Sequence, residues 1–289
     1  MATSKYVVIT PVRDEEAFIN HTIESMVRQT RRPAEWILVD DGSTDGTAAL
    51  IDVCEQRYPW IKAIHRPNRG YRKAGGGVVD AFNHGYREVK TKDWDFIAKF
   101  DGDLTFEPCY FENCLQEFER DPKLGIGGGT ICHVVNGKTE PESCPVFHVR
   151  GATKIYRREC WDALGGLWPA PGWDTADEVK ASRLGWTTRS FPHLHLIHHR
   201  RTGTAEGIWA GLVKDGKADY ICGYHPLFMI AKCTVRITRR PYVIGSLALL
   251  SGFLFGYWKR LPQLDDRETI KYLRSQQIGR LFGGKTIWR

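Results

Sequence analysis

The chain of 289 residues lacks the features that mark secreted, disulfide-bonded or repetitive proteins. Its eight cysteines form no CxxC pair and have no regular spacing, so we predict reduced, mostly buried thiols. The first residues, MATSKYVVIT, contain no apolar signal-peptide core, and we expect the folded part to stay in the cytoplasm. No internal repeat or low-complexity linker interrupts the sequence. One α/β domain with a sizeable appendage is therefore predicted, with a core that needs no covalent links.

Positive charge is concentrated at the C-terminal end. Residues 232–289 contain 12 lysines and arginines against 3 acidic residues, so of the net charge of +7 this segment carries +9 and the remainder about −2. The main domain thus lacks the basic surface typical of nucleic-acid binding, and we expect no nucleic-acid partner. The basic segment indicates contact with an anionic surface such as a cytoplasmic membrane leaflet, and a soluble basic tail is the alternative.

The first hundred residues alternate between apolar runs and amphipathic helices. Four runs are predicted to be buried strands: residues 6–10, 36–40, 61–66 and 94–100. The helices between them have apolar residues at helical spacing, and Ser43 or Thr44 can cap the second helix. This order predicts a parallel sheet with right-handed crossovers. Ligands of such sheets bind beyond the carboxyl ends of the strands.

The second half of the main domain has a less regular pattern. Residues 125–135 and 152–158 are predicted to form further short strands, and two more, WTTRS and LHLIHH, are predicted within residues 186–199. A helix is expected near residues 174–184. Beyond about residue 205 the pattern changes, which predicts a separate C-terminal helical region.

Carboxylates follow the predicted strands. Asp40 and Asp41 come directly after the second strand, and Asp101 and Asp103 come after the fourth. An Asp at such a position can accept hydrogen bonds from a base or ribose, and an Asp-rich turn is the alternative for the first pair. Two carboxylates separated by one residue can bind Mg²⁺ or Mn²⁺, which are normally held by carboxylates together with substrate phosphates.

Several motifs occur together in a fixed order: ITPVRDEE, DDGSTDGT, AGGG and FDGD. Over roughly residues 5–200 the chain resembles the family 2 glycosyltransferases of the GT-A fold. The resemblance implies a Rossmann-like, mostly parallel sheet flanked by helices in a domain of residues 1–205. A nucleotide-binding half (about 1–104) would be joined to an acceptor-binding half (about 105–205), and residues 206–289 would form the helical, basic, membrane-associated region.

The activity implied by this resemblance is transfer of a sugar from a nucleoside-diphosphate sugar to an acceptor hydroxyl. UDP is the favoured nucleotide, the reaction inverts the anomeric centre, and Mn²⁺ or Mg²⁺ is the expected cofactor. The acceptor would be a saccharide or a lipid-linked molecule in polysaccharide or glycolipid biosynthesis.

The resemblance also implies which side chains contact the donor. Asp40 is expected on the base, Asp41 near the nucleoside, and Asp101 near the ribose and metal. Arg72 and Lys73 add two positive charges that suit a diphosphate. The full set of expected donor-binding residues is Pro11, Arg13, Glu15, Asp40, Asp41, Arg72, Lys73 and Asp101.

The expected metal ligands are Asp101 and Asp103, joined by one of two histidines. His198 and His199 end a predicted strand, where an imidazole can bind a metal or contact the diphosphate. A buried, hydrogen-bonded structural histidine is the alternative for either one.

The catalytic base is less clearly marked. In the family it is the Asp of a Glu-Asp pair at the start of a helix, and it takes the proton of the acceptor hydroxyl. Here Asp174 occupies that position, but Trp173 replaces the Glu. Asp174 is the expected base and Asp177 the second candidate. The alternative is that Asp174 and Thr175 only cap the helix.

Residues 241–258 form an uncharged run of 18 residues with basic residues at both ends. A helix of this length spans about 27 Å, slightly less than the ~30 Å hydrocarbon core of a bilayer. We expect residues 220–289 to attach the chain, peripherally or monotopically, to the cytoplasmic side of a membrane. A single span, a buried helix and a homo-oligomer contact are the alternatives. The GxxxG spacing of Gly252 and Gly256 suits close helix packing.

Two other functions are considered. A sugar nucleotidyltransferase would have a glycine-rich loop with a basic residue directly after the first strand, where this chain has TPVRDEE. A non-catalytic, nucleotide-binding membrane scaffold would keep the fold without turnover. The complete set of expected carboxylates argues against such a scaffold.

Overall fold

The computed structural model describes residues 4–71, 73, 75–135, 137–200, 207–238 and 240–288. Within these ranges the chain forms nine strands and ten helices. The strands are β1 (Tyr6–Val12), β2 (Glu35–Asp40), β3 (Ile61–His65), β4 (Phe96–Phe100), β5 (Leu104–Phe106), β6 (Leu124–Val135), β7 (Lys138–Pro141), β8 (Thr153–Arg157) and β9 (Thr187–His198). The helices are α1 (Ile19–Val27), α2 (Thr47–Arg57), α3 (Gly76–Arg87), α4 (Tyr110–Arg120), α5 (Arg158–Leu164), α6 (Trp173–Arg183), α7 (Ile208–Ile221), α8 (Pro226–Arg236), α9 (Tyr242–Lys259) and α10 (Arg267–Leu281).

A single curled sheet runs through the main domain in the order β3-β2-β1-β4-β8-β6-β9-β5, with β7 paired to β6. The strands β3, β2, β1 and β4 are parallel, whereas β8 runs antiparallel to both β4 and β6. The predicted α/β fold, with a mostly parallel sheet flanked by helices and a helical C-terminal region, is confirmed. Because the sheet continues from β4 into β8, the two expected halves share it, and the boundary between them stays a prediction.

The central strands are apolar along their length because both faces of the sheet are covered. Successive side chains of a strand point to opposite faces. Val8 and Leu38 therefore join a cluster that also contains residues of α1, α2 and α4, whereas Ile9 and Val39 join a second cluster with α3 and α5. Two cores, one on each face, fix the sheet and with it the positions of the strand ends.

Two local expectations were wrong. Neither Ser43 nor Thr44 caps α2: its N-cap is Gly46, and the carboxylate of Asp45 accepts a hydrogen bond of 3.0 Å from the Thr47 N–H. The two short strands expected within residues 186–199 are one strand, β9, whose register against β6 shifts near Thr130. At this shift Gly129 pairs with Phe191 and the next residue, Thr130, pairs with His195, so the pairing of the two strands is interrupted.

The cysteines agree with the prediction of reduced thiols. None of the eight, all of which lie in described ranges, is in a disulfide, and six are buried.

The C-terminal helices pack through glycines. A Cβ on Gly216 of α7 would lie 1.9 Å from the carbonyl oxygen of Leu249, and one on Gly252 of α9 would lie 2.0 Å from that of Val213. The backbones of α7 and α9 therefore touch directly, and Gly252 serves a contact inside the chain. Among the described residues, no helix has the length and apolar character needed to cross a membrane.

Candidate active site

The expected carboxylates meet at one edge of the sheet. The strand β1 lies between β2 and β4, and all three run in the same direction. Asp40 is the last residue of β2, Asp101 directly follows β4, and β1 leads into the loop of Arg13 and Glu15. This edge is where open parallel sheets bind their ligands.

Three side chains at this edge form a group able to hold a divalent cation. One oxygen each of Asp101 and Asp103 and a ring nitrogen of His198 all lie within 4.8 Å of one another, a grouping that occurs once in the described parts of the chain. The pairing of β5 with β9 sets His198 opposite Leu104 and so next to Asp103, with 3.1 Å between His198 Nε2 and Asp103 Oδ2. Two carboxylates and an imidazole suit Mn²⁺, and carboxylates suit Mg²⁺.

The two candidate histidines have different surroundings. Burial lowers the pKa of His198, but the hydrogen bond and charge of Asp103 outweigh it and raise the pKa overall. His199 is outside the group: its ring lies 2.8 Å from Thr105 Oγ1 and stacks on His21 at 4.5 Å between ring centres. The structure therefore brings only His198 together with the two carboxylates.

The loops around this group are tied to one another. Asp101 pairs with the buried ammonium of Lys99, and its N–H donates to the carbonyl of Ala152 at 3.0 Å. Arg200, which follows β9, lies 2.9 Å from the carboxylate of Glu15. Lys99 and Arg200 thus neutralise carboxylates at the site, and Arg200 joins the loop after β1 to the end of β9.

A cluster of arginines surrounds Asp41. Arg66 Nη1 lies 2.6 Å and Arg69 Nη1 2.8 Å from Asp41 Oδ1, and Arg13 donates to the Asp41 carbonyl at 3.1 Å. Arg66 and Arg69 follow the carboxyl end of β3, at the same sheet edge. The sequence analysis did not identify these two arginines, although they follow the end of a strand, which is the same position that identified the aspartates.

The remaining donor-site residues are placed as follows. Asp40 is buried, accepts from the Ser43 N–H at 2.8 Å, and lies 3.2 Å from His65 Nδ1. Pro11 lies in β1, paired with Val39. Lys73 is exposed and forms an ion pair of 2.6 Å with Asp80. Arg72 lies outside the described residues.

Asp174 is in the first turn of α6, half-buried, beside the segment that carries His148 and Arg150. Burial favours a raised pKa for Asp174, but the positive charges of His148, Lys154 and Arg150 outweigh it and lower the pKa below the ordinary value. The side chain is therefore ionised at neutral pH, which is the form that can accept a proton from a hydroxyl.

Asp177, the second candidate base, is enclosed by hydrogen-bond donors. Its carboxylate accepts from Lys154 Nζ at 2.6 Å, from the Tyr156 hydroxyl at 2.6 Å, and from the Glu178 N–H at 2.7 Å. Burial, followed by the charge of Glu178, raises its pKa to about 7 against the opposing effect of Lys154. A carboxylate with its oxygens engaged in this way holds the buried lysine in place, so the geometry favours Asp174 as the base.

Trp173, which replaces the expected Glu, packs against two cations. Lys99 Nζ lies 5.6 Å and Lys154 Nζ 5.5 Å from the centre of its rings. Both lysines are buried, and their strands β4 and β8 pair with Lys99 opposite Lys154. An aromatic face attracts nearby cations. The indole thus contacts both ammonium groups from a position where the family has a carboxylate.

Comparison with known proteins gives a consistent result. The family model described as "Glycosyl transferase family 2" matches residues 7–165, more than half of the chain. The uncharacterized glycosyltransferase EpsJ of Bacillus subtilis is 30% identical over 42% of this chain and 33% of its own length, so the chain spans about a third of that relative. The N-acetylglucosaminyl-diphospho-decaprenol L-rhamnosyltransferase of Mycobacterium tuberculosis is 24% identical over 69% of this chain and 77% of its own length.

Solved structures of the GT-A fold are also similar. The mannosyltransferase PcManGT of Pyrobaculum calidifontis, in complex with GDP-Man and Mn²⁺, aligns with a TM-score of 0.59 and 14% identity over 98% of this chain and 89% of that one. GalNAc-T7 with UDP, GalNAc and Mn²⁺ aligns with a TM-score of 0.63 and 14% identity over 99% of this chain and 55% of that one. The expected GT-A fold is confirmed.

Proposed function

Because the chain belongs to glycosyl transferase family 2, we propose that it transfers a sugar from a nucleoside-diphosphate sugar to an acceptor hydroxyl, with inversion of the anomeric centre. The observation that carries this proposal is the group of Asp101, Asp103 and His198 at the sheet edge that also holds Asp40 and the arginines around Asp41. A cation site and arginines at one edge of the sheet suit the negatively charged diphosphate, and Asp40 at the same edge suits the nucleoside.

The donor is proposed to be a UDP-sugar. UDP is present in the similar GalNAc-T7 structure and GDP-Man in the similar mannosyltransferase. In the proposed complex the base binds at Asp40, which is buried at the end of β2, and Arg13 donates to the carbonyl of the adjacent Asp41. Arg69 forms an ion pair with the Asp41 carboxylate.

Mn²⁺ or Mg²⁺ would be held by Asp101 and Asp103, with His198 as a third ligand. When bound there, such a cation supplies positive charge that stabilises the departing diphosphate. Asp103 and His198 are fixed by the pairing of β5 with β9, so both ligands are preorganised. Lys99 forms an ion pair with Asp101.

In the transfer step the oxygen of the acceptor hydroxyl forms a bond to the anomeric carbon. The bond between that carbon and the diphosphate oxygen breaks, and its electron pair leaves with the diphosphate. The proton of the hydroxyl moves to the carboxylate of Asp174, which is ionised at neutral pH. Attack from the face opposite the leaving group gives inversion.

A donor screen tests the proposal. Nucleoside diphosphates and their sugars are added to the purified chain with and without Mn²⁺, and the melting temperature is measured. We expect UDP or a UDP-sugar with Mn²⁺ to raise Tm by about 5–10 °C when the ligand is at ~100 times its Kd, since tight binding to the folded state alone stabilises it. A chain that binds none of these nucleotides with Mn²⁺ would contradict the proposal.

We also propose that the chain attaches to the cytoplasmic side of a membrane through its C-terminal helices. One side of α9 packs inside the chain, but Val243, Leu247, Leu254 and Trp258 are more than half exposed. Exposed apolar patches of this kind mark interaction surfaces. Basic residues lie at both ends of α9 (Arg240, Lys259 and Arg260), and an apolar face between positive charges suits anionic lipid.

The membrane proposal predicts the effect of placing charge on this face. Val243 and Leu247 are four residues apart and so share one side of α9. We expect Val243→Glu with Leu247→Glu to lower binding to vesicles containing phosphatidylglycerol roughly 10-fold or more, because two apolar contacts are lost and two negative charges are added. Co-sedimentation measures the bound fraction.

The matched control for this experiment is Val53→Glu. Val53 is 62% exposed on α2, remote in sequence from the C-terminal helices, and undergoes the same chemical change. The control should bind vesicles like the wild type. Equal binding by the double variant would refute attachment through this face of α9.

A further inference from the structure

A groove with apolar walls lies along α7. Its volume is about 550 Å³, and its lining includes Pro171, Trp209, Val213 and Leu261 together with Lys214 and Lys217. Sites for small molecules have volumes of roughly 300–1,000 Å³ and combine apolar walls with a few polar groups. The groove therefore has the size and composition of a ligand site.

The charges in the groove indicate an anionic ligand. Lys214 and Lys217 line it, and among the described lining residues there is no carboxylate. Neither lysine forms an ion pair with a described residue, and Lys217 Nζ lies 4.4 Å from the ring centre of Phe255 on α9. Lys214 interacts with the charge of Asp215, its neighbour on α7, and Lys217 supplies a second ammonium group. Two ammonium groups in one groove are suited to bind a phosphate.

The groove is joined to the active site through Pro171. Pro171 precedes Asp174 by three residues, and a Cβ on Gly75, in the loop before α3, would lie 2.6 Å from Pro171 Cα. Pro171, in the wall of the groove, thus contacts Gly75 in the loop before α3, on the side of the proposed donor site.

Lys217 connects the groove to the apolar face proposed to contact the membrane, because it lines the groove and also contacts Phe255 of α9. Phe255, which lies beneath the ammonium of Lys217, packs against the exposed Trp258 with 5.8 Å between ring centres. A lipid chain that leaves the bilayer beside Trp258 would meet Phe255 and then the walls formed by Val213 and Trp209.

From this arrangement we infer that the acceptor is a lipid-linked saccharide, whose apolar chain lies between Trp209 and Leu261 and whose phosphate binds Lys214 and Lys217. The sugar joined to the phosphate then extends past Pro171 towards Asp174. This inference rests on the proposed glycosyl transfer and narrows its acceptor from any saccharide or lipid to a phosphate-containing lipid.

Binding of farnesyl phosphate to the full chain tests the inference, with farnesol and inorganic phosphate as separate arms. We expect farnesyl phosphate to bind at least about 10-fold more tightly than either, because only it combines the chain with the charge. Isothermal titration calorimetry gives the three dissociation constants. Equal affinity for farnesol would refute the role of the lysines, and equal affinity for inorganic phosphate would refute the role of the apolar groove.

Two variants locate the site. Lys214→Gln with Lys217→Gln should reduce the affinity for farnesyl phosphate to that for farnesol, and Trp209→Ala should weaken it by about 10-fold. Trp209 is half exposed, so its truncation leaves the fold intact. The control is Lys271→Gln, which removes an exposed lysine from α10 and should change nothing. Wild-type affinity in both groove variants would overturn the inference.

The same samples separate this inference from the proposed function. Thermal stabilisation by UDP and Mn²⁺ is measured alongside the lipid titration. If nucleotide and Mn²⁺ stabilise the chain but farnesyl phosphate does not bind, the lipid site is refuted and the glycosyltransferase proposal stands. If the lipid binds but no nucleotide does, the acceptor assignment fails together with the proposed transfer.

Discussion

Replacement of Asp103 by alanine is expected to abolish Mn²⁺-dependent binding of the donor. Asp103 is buried, and its Oδ2 lies 3.1 Å from His198 Nε2. The possible ligand atoms of Asp101, Asp103 and His198 all lie within 4.8 Å of one another. Removal of one carboxylate leaves a single charged ligand for a cation that prefers oxygen donors. Loss of a residue that only hydrogen-bonds to a metal ligand typically lowers metal affinity by about 10- to 100-fold. Because Asp103 is proposed to be a ligand itself, we expect the apparent affinity for Mn²⁺ to fall by at least about 100-fold.

The measurement is a titration of Mn²⁺ at a fixed concentration of UDP, in which the melting temperature is recorded at each Mn²⁺ concentration. In Asp103→Ala the rise in Tm seen with the wild type should be absent at all accessible Mn²⁺ concentrations. Asp162→Ala is the control, because this carboxylate has 62% of its side chain exposed on α5 and lies outside the proposed metal group. His198→Gln should give an intermediate shift in the Mn²⁺ midpoint. Normal stabilisation of Asp103→Ala would place the cation elsewhere.

The second large effect is expected for Asp174→Asn. The amide keeps the shape of the side chain but cannot take a proton from the acceptor hydroxyl. General base catalysis typically contributes roughly 10²–10⁴-fold, so kcat for transfer should fall by that factor. Stabilisation by UDP and Mn²⁺ should remain at the wild-type level, since Asp174 is proposed to act on the acceptor and not on the nucleotide. Single-turnover transfer of labelled sugar measures the loss.

Asp177→Asn distinguishes the two candidate bases. Asp177 binds the buried Lys154 and the Tyr156 hydroxyl, so its replacement should lower Tm by weakening a buried network. The kcat of the folded enzyme should fall much less than in Asp174→Asn. The opposite ranking of the two kcat values would make Asp177 the base.

The first four strands and the sheet edge where they end could be predicted from the sequence because their signals are local. Strands buried on both faces appear as uninterrupted apolar runs, and β1 to β4 were found at their expected places. Parallel order then placed Asp40 and Asp101 at one edge of the sheet. His198 joined the candidate metal group for the same reason, as the last residue of a strand.

Other parts of the site depend on contacts that no local pattern shows. Lys154 lies within TKIYR, where a lysine in a strand normally points to solvent, yet it is fully buried against Asp177 and Glu178. The pairing of β8 between β4 and β6 decides this burial, and it joins residues that are distant along the chain, such as Ile126 with Tyr156 and Phe96 with Arg157. The separation of His198 from His199 likewise depends on a long-range pairing: β9 ends at His198, opposite Leu104 of β5, and His199 lies beyond the strand.

The direct backbone contact of α7 with α9 has a consequence for how far the enzyme can reach. With no side chain between Gly216 and the backbone of Leu249, the two helices leave no space in which to slide. In the proposed membrane-bound state, α7 would therefore keep a fixed height above the lipid headgroups, and so would the turn before α6, where a Cβ on Gly172 would lie 3.4 Å from the Ala218 carbonyl oxygen. The proposed transfer would then reach only hydroxyls presented at that height, so the lipid surface would limit the length of the acceptor.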